Sequence, residues 1–164
     1  MTYRNATLDD LPAIVEIYNS TIPGRMVTAD IVPLKPEDKL TWFNKHNPQS
    51  RPIWIVQDEH EQIIGWVSFQ DFYGRPAYKG TAEISMYLAE KFRGKGLGKK
   101  ILAYAISKCP ALGIDTLLGF IFKHNTISLR LFSEMGFEEW ADLKDIALIE
   151  NQRYSLIIMG KKIT

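Results

Sequence analysis

Cysteine is nearly absent from this sequence. Its one thiol, Cys109, excludes an internal disulfide and a metal site built from several cysteines. We expect this thiol to be half-buried on a helix. Long apolar runs are also missing, because no segment approaches the roughly 18 residues of a membrane-spanning helix. We therefore expect no membrane partner.

An excess of charge of one sign is absent too. The 20 basic and 19 acidic residues leave a net charge of +1, whereas nucleic-acid-binding proteins usually carry a clustered basic excess. We therefore expect no nucleic-acid partner. The first residues lack a signal-peptide pattern, so the expected location is the cytoplasm. One local basic cluster suits a small anionic ligand; it consists of Lys91, Arg93, Lys95, Lys99 and Lys100.

Apolar sequence is present in the amount that one folded domain needs. The 164 residues are 46% hydrophobic and 24% charged, which is typical of a globular domain, and we assign residues 1–164 to a single one. Hydrophobic periodicity predicts the order β-α-α-β-β-β-α-β-α-β-β without an internal repeat. One mixed sheet with helices on both faces, an α/β architecture, is the simplest packing.

The first half of the chain contains two predicted helices. Thr7 followed by Asp10 is typical of a helix start, and Pro36 opens a second helix whose Leu40 and Phe43 are expected to face inward. Residues 21–33 between the helices break the periodicity and predict a loop that faces substrate. The predicted strands are residues 3–6, 53–56, 63–69, 81–88, 115–122, 137–143 and 153–159, and the later helices are residues 96–109 and 127–135.

The most informative segment is Arg93-Gly94-Lys95-Gly96-Leu97-Gly98-Lys99, between a predicted strand and a predicted helix. Its three glycines let the backbone approach a ligand closely. Main-chain amides at a helix N-terminus favour an anion, and the basic side chains add positive charge. The segment therefore predicts a site for a pyrophosphate group.

Two familiar nucleotide-binding loops do not match this segment. A P-loop requires Ser or Thr after Gly-Lys, and none follows here. The dinucleotide fingerprint requires a third glycine where this chain has Lys99 or Ile101. A mobile, solvated turn rich in lysine is the plainer alternative.

Arg93-x-x-Gly96-x-Gly98 before an amphipathic helix resembles the acetyl-CoA loop of the GNAT N-acetyltransferases. A second block, Asn125-x-x-Ser128-x-x-Leu131-Phe132-x-x-x-Gly136-Phe137, is similar to the family's Asn-x-x-Ser…Gly-Phe helix and turn. The resemblance spans almost the whole chain. It implies a largely antiparallel, twisted mixed sheet flanked by helices, with acetyl-CoA as cosubstrate and no metal.

Further segments resemble the phosphinothricin acetyltransferases, which acetylate the amino group of glutamate-like compounds such as phosphinothricin and methionine sulfoximine. These segments are Arg25-Met-Val-Thr28, Arg75-Pro-Ala-Tyr78-Lys-Gly-Thr81-Ala-Glu83-Ile-Ser85-Met-Tyr87 and Arg153-Tyr154. The resemblance implies a small amino-acid-like amine as acceptor and direct transfer in a ternary complex. By analogy with the family, a homodimer is expected.

The resemblance is the main reason that Glu83 is the candidate general base, acting directly or through water. The attacking amine must lose a proton, and partial burial would raise the pKa of this carboxylate into a useful range. The plainer alternative is a carboxylate at a strand edge, paired with Lys or Arg. The resemblance also places acetyl-CoA against the strand and loop that follow, at Met86, Tyr87, Leu88, Arg93, Gly94, Lys95, Gly96, Leu97, Gly98 and Lys99.

The second block supplies further candidates. Asn125 is expected to hydrogen-bond the cofactor, although it is also a candidate helix N-cap, and Ser128 is a weaker cofactor contact. Many relatives carry Tyr where this chain has Phe132, and the phosphinothricin-type relatives often carry His. Phe132 has no proton to donate to the leaving thiolate. Water, or less readily His124, is left for that role.

For the acceptor, Arg75 is expected to bind a carboxylate through its planar guanidinium, with a surface loop arginine as the plainer alternative. Lesser acceptor candidates are Arg25, Thr28, Tyr78 and Ser85. Relatives place Glu before the proline of the loop, where this chain has Val32, so a carboxylate that could hold the substrate ammonium is missing.

Two alternative functions stay open. The acceptor could be a polyamine, an antibiotic amine or a protein N-terminus. A module that binds acetyl-CoA without turnover is the other alternative, and Phe132 keeps it open.

Overall fold

The computed structural model describes residues Met1–Thr164. Seven strands form one sheet in the order β1-β2-β3-β4-β5-β7-β6. All neighbouring strands are antiparallel except β4 and β5, which are parallel. The strands are β1 (Thr2–Asn5), β2 (Ile53–Gln57), β3 (Ile63–Asp71), β4 (Thr81–Leu88), β5 (Thr116–Phe122), β6 (Glu138–Ile149) and β7 (Gln152–Lys162).

Four α-helices accompany the sheet, and none of them is long and apolar enough to cross a membrane. They are α1 (Leu11–Asn19), α2 (Leu40–Asn44), α3 (Leu97–Lys108) and α4 (Thr126–Glu134). The order of strands and helices along the chain agrees with the sequence prediction. The largely antiparallel mixed sheet implied by the family resemblance is confirmed.

The two faces of the sheet carry separate cores, because successive residues of a strand point to opposite faces. On β2, Trp54 and Val56 belong to the larger core with α3 and α4. Ile53 and Ile55 belong to the smaller core with α1, and α2 packs beside it. The strand β4 is arranged in the same way. Ala82 and Ile84 face α3 and α4, and Tyr87 faces α1 and α2.

The start of α1 agrees with the sequence prediction. A turn of 3-10 helix, Leu8–Asp10, leads into the helix, and the backbone N–H of Thr7 donates to Asp10 Oδ2 at 2.7 Å. Arg4 on β1 donates two hydrogen bonds of 2.7 Å to the same carboxylate. Asp10 therefore ties the first strand to the first helix.

Three expectations differ from the structure. The segment after Pro36 is a 3-10 turn followed by the short α2, and Leu40 is 42% exposed because so short a helix covers little of the sheet. Cys109 is fully buried in the larger core. The closing strands are longer than predicted and meet at a two-residue turn, Glu150-Asn151, where both residues have positive φ.

We expect Asp10→Ala to destabilise the protein by about 1–2 kcal/mol at pH 7, because it removes both the helix-start contact and the Arg4 pair. The hydrogen bond from Arg4 holds the pKa of Asp10 below its usual value. This contribution is therefore present above the ordinary pKa of aspartate and is lost as the pH falls through the lowered folded value.

Urea unfolding between pH 7 and pH 2 measures this effect, with the exposed neighbour Asp9→Ala as control. A stability difference from wild type that stays constant across this range would contradict the assignment.

Candidate active site

A cleft opens where β4 and β5 separate. The two parallel strands pair only from Thr81 to Glu83 on β4 and from Thr116 to Leu118 on β5. Beyond that point residues 84–87 and 119–122 form opposite walls. The remaining lining comes from loop residues Met26 and Val27, from Asn125 and from one side of α4. The main-chain edge of β4 that faces this cleft has no strand partner after Glu83.

The predicted contacts Met86 and Tyr87 line this cleft, and Leu88 lies at the end of the same strand. A strand edge without a partner offers backbone N–H and C=O groups to an extended ligand, as in strand addition. The part of β4 that the sequence analysis assigned to the cofactor is thus the part that the sheet leaves unpaired.

The glycine loop borders the same cleft. A Cβ on Gly98 would lie 3.2 Å from Leu131 Cδ2 and 3.7 Å from Met86 Cε, and both of those side chains line the cleft. Gly98 therefore lets the first turn of α3 pack closely beside α4 and β4. Leu97, beside it, is half-buried against the larger core.

The backbone of the loop leaves a run of N–H groups without acceptors in the chain. Gly94 and Gly96 both have φ of +71°, a conformation that glycine adopts without strain. The N–H groups of residues 94–99 donate to no acceptor within the chain, because they precede or open α3. Free amides at a helix N-terminus favour a phosphate group.

The basic side chains of the loop behave differently from one another. Arg93 donates to the carbonyl of Leu88 at 2.9 Å and to the hydroxyl of Ser20 at 2.5 Å. Its guanidinium thus ties the loop to the ends of β4 and α1 instead of standing free. Lys95 and Lys99 are exposed, and Lys99 lies 3.4 Å from the Glu134 carboxylate.

Glu83 lies at the last paired position of β4, beside the point where the cleft opens. Burial raises the pKa of its carboxyl group, and a hydrogen bond of 2.8 Å from Gln70 Nε2 partly opposes this rise. No lysine or arginine pairs with it. The alternative of a paired strand-edge carboxylate is therefore wrong.

Asn125 and His124 hold the loop of residues 21–33. Asn125 Oδ1 accepts from the backbone N–H of Ser128 at 3.1 Å, as a helix N-cap, and its Nδ2 donates to the carbonyl of Met26 at 3.0 Å. His124 Nε2 lies 2.7 Å from the carbonyl of Arg25. The side chains of Asn125 and His124 are thus engaged within the protein, although Asn125 and Ser128 both border the cleft.

Phe132 is 6% exposed and lies in the cleft wall. A Cβ on Gly119 would lie 2.4 Å from the Phe132 ring, so the ring rests directly on the backbone of β5. It also packs edge-on against Phe137. The residue therefore shapes the wall of the cleft and offers no proton.

The acceptor candidates fall into two groups. Thr28 is buried and hydrogen-bonds the hydroxyl of Tyr18, and Ser85 lines the cleft. Arg75 and Tyr78 lie instead on the exposed β3–β4 connection, where Arg75 stacks 5.8 Å from the ring of Tyr73. Neither residue lines the cleft, so the assignment of Arg75 and Tyr78 stays a prediction.

The sequence analysis missed several residues beside the site. Gln70 faces Glu83 across the β3–β4 ladder, and the register could have been found by aligning the predicted strands outward from their connection. Tyr18 was assigned only to the core, yet its hydroxyl also donates to Asp30. No sequence signal marked Asp30 or Lys39.

The Acetyltransferase (GNAT) family model matches residues 11–137. The "Putative phosphinothricin acetyltransferase YwnH" of Bacillus subtilis is 49% identical over 164 residues, which is 100% of both chains. An L-methionine sulfoximine/L-methionine sulfone acetyltransferase of Pseudomonas aeruginosa is 30% identical over 135 residues, 82% of this chain and 78% of its own.

A solved structure gives the same result. The GNAT superfamily phosphinothricin acetyltransferase of Sinorhizobium meliloti, in complex with acetyl-CoA, superimposes with a TM-score of 0.90 at 27% identity. The match covers 99% of this chain and 88% of that one. The chain belongs to the GNAT acetyltransferase family, and it is an acetyl-CoA-dependent N-acetyltransferase. The resemblance identified from the glycine loop and the second block is confirmed.

We expect Gly96→Ala to weaken the binding of coenzyme A at least tenfold, because alanine resists a φ of +71° and would turn the loop amides away. Isothermal titration calorimetry with coenzyme A measures this loss. Gly24→Ala is the matched control, since the backbone there has no positive φ and its added Cβ meets no atom closer than 3.7 Å. Equal affinity of Gly96→Ala and wild type would contradict the role of the loop.

Proposed function

We propose that the whole chain, residues 1–164, acts as one acetyltransferase domain that moves the acetyl group of acetyl-CoA to the primary amine of a small amino-acid-like acceptor. Transfer is direct, within a ternary complex. The observation that carries this proposal is the position of Glu83, a half-buried carboxylate without a basic partner, beside the opening between β4 and β5.

The diphosphate of acetyl-CoA binds to the main-chain amides of residues 94–99. Support comes from the two left-handed glycines and from the free N–H groups at the start of α3. Lys95 and Lys99 add a long-range attraction that salt weakens. Arg93 contributes by holding the loop in place, since its guanidinium already has two partners within the protein.

The pantetheine arm lies along the unpaired edge of β4 from Ile84 to Leu88. Its amides pair with the strand as an added strand would. The thioester carbonyl then faces a backbone N–H of this edge, which stabilises the oxyanion as it forms. A preorganised donor of this kind lowers the barrier by roughly 3 kcal/mol.

Glu83 removes the proton of the acceptor ammonium, directly or through a water molecule. An alkyl amine with a pKa of about 10.4 is almost fully protonated at neutral pH and has no lone pair to donate. Once deprotonated, the amine nitrogen attacks the carbonyl carbon, and the tetrahedral intermediate that forms loses a second proton from its nitrogen to water. The carbon–sulfur bond then breaks, and the electron pair leaves on the sulfur of coenzyme A.

The leaving thiolate takes its proton from water. Phe132 has no proton to give, and His124 is hydrogen-bonded to the loop carbonyl of Arg25. A thiol with a pKa near 8.5 is a sufficient leaving group without a dedicated acid. This arrangement supports turnover in spite of the missing tyrosine and argues against a module that only binds acetyl-CoA.

The acceptor lies on the side of β4 that faces α1 and the loop of residues 21–33. Thr28 and Ser85 are its neighbours there. The names of the relatives support a small amino acid carrying a polar side chain, such as methionine sulfone or phosphinothricin.

We expect Glu83→Gln to keep acetyl-CoA affinity but to lose about 100-fold or more in kcat at pH 7, in the range of general-base contributions. The loss is largest at low pH, where the amine depends most on the base. Thiol release with L-methionine sulfone across pH 6–10 measures it, and the exposed Glu59→Gln is the control. Rates unchanged at every pH would remove Glu83 as the base.

We expect Gln70→Leu to shift the acid limb of kcat/KM to higher pH. The amide of Gln70 stabilises the charged carboxylate of Glu83, so its removal raises the pKa of Glu83 further. The base is then protonated, and inactive, over a wider acidic range. A limb that stays in place or moves to lower pH would show that Gln70 does not tune this base.

A further inference from the structure

Four aromatic rings form a continuous cluster on the acceptor side of the sheet. Tyr18 and Tyr87 have centroids 5.2 Å apart, Tyr87 stacks on Trp66 at 4.4 Å, and Trp66 meets Trp42 at 5.6 Å. The ammonium of Lys39 lies 4.4 Å from the centroid of Tyr18 and 5.0 Å from that of Trp42. Lys39 thus places a positive charge over the first and last rings of the cluster.

This ammonium has no anionic partner. It makes no hydrogen bond and no ion pair within the chain, and burial lowers the pKa of Lys39 even though the charge of Asp30 acts in the opposite direction. The carboxylate of Asp30 is bonded to the hydroxyl of Tyr18. Contact with the two rings compensates only part of the lost hydration of a cation. The folded protein therefore keeps a half-buried charge with spare hydrogen-bond donors.

The ring of Tyr18 lies between the ammonium of Lys39 and the cleft residue Tyr87 in this chain of contacts. Tyr18 packs against Tyr87 and hydrogen-bonds Thr28. Tyr87 lines the cleft and shares its face of β4 with Ser85 and Glu83, because alternate residues of a strand point the same way. Lys39 thus contacts Tyr18, the ring that packs against the cleft residue Tyr87.

We propose that the ammonium of Lys39 binds the carboxylate of the acceptor. This assignment rests on the proposed function and narrows the substrate class to amines that carry a free carboxylate. An anionic group supplied by the acceptor gives Lys39 the partner that the chain does not. The exposed Arg75, stacked on Tyr73 outside the cleft, is the competing candidate for the same role.

The test compares two acceptors that differ only in the carboxylate, L-methionine sulfone and 3-(methylsulfonyl)propan-1-amine. Lys39→Met keeps the length and the apolar stem of the side chain. We expect it to raise KM for methionine sulfone at least tenfold, with kcat changed less than twofold, and to leave KM for the decarboxylated amine unchanged. Lys39→Arg restores most of the affinity for methionine sulfone.

Lys45→Met, at the exposed end of α2, is the matched control for loss of a lysine charge from this segment. The thermal midpoint of Lys39→Met is expected to equal or exceed that of wild type, since the substitution removes a poorly hydrated charge. An equal rise in KM for both acceptors, or a fall in the midpoint without carboxylate selectivity, would show that Lys39 only packs against the rings. Carboxylate-selective loss in Arg75→Met but not in Lys39→Met would overturn the assignment as well.

Calorimetry of the same two amines with enzyme saturated in coenzyme A separates this inference from the proposed function. Weaker binding of methionine sulfone in Lys39→Met, without turnover in wild type, supports the role of Lys39 and contradicts the proposed reaction. Turnover of both amines with no difference in binding between wild type and Lys39→Met supports the proposed reaction and contradicts the role of Lys39. Failure of wild type to bind methionine sulfone at all overturns the assignment.

Discussion

The short parallel contact between β4 and β5 is the constraint on which the site depends. Three residue pairs join the strands, and the ladder ends at Glu83 and Leu118. The flanking strands β3 and β7 stay paired with β4 and β5 beyond that point, so the sheet is continuous on both sides of the opening. The result is an unpaired main-chain edge beside the half-buried carboxylate of Glu83. Hydrogen bonds that the fold leaves unmade are available to a ligand.

The start of α3 also has main-chain N–H groups without partners in the chain. A helix leaves its first amides without partners, and the left-handed Gly94 and Gly96 extend this property backward along the loop. Unpaired N–H groups cost little free energy at the surface, because water hydrogen-bonds them. A bound anion takes the place of that water. Along the chain, Glu83 is followed by the unpaired β4 edge and then by the loop, and in the proposed reaction these would meet the acceptor amine, the pantetheine arm and the diphosphate in turn.

Hydrogen bonds connect the segments that surround the cleft. Arg93 bonds Ser20 at the end of α1, while His124 and Asn125 hold the backbone of residues 25 and 26. Side chains that the sequence analysis considered for cofactor binding or proton donation therefore connect the glycine loop and the start of α4 to the end of α1 and the loop of residues 21–33. Tyr18 does the same from α1, through Thr28 and Asp30. These bonds give the connecting loop a defined position although it has no regular secondary structure.

The sequence by itself determined the order of strands and helices, the glycine loop and the family, because hydrophobic periodicity and glycine spacing are local properties of the chain. It also singled out Glu83 as a candidate, mainly through the family resemblance and through its place on a strand that leads to the loop. Only the tertiary structure decided that β4 and β5 separate, that Gln70 bonds Glu83, that Asn125 caps a helix and that Lys39 lies over Tyr18. These depend on register and on contacts between residues distant in the sequence, which no local pattern records. Leu40 shows the same limit, since its exposure follows from how short α2 is and not from its spacing to Phe43.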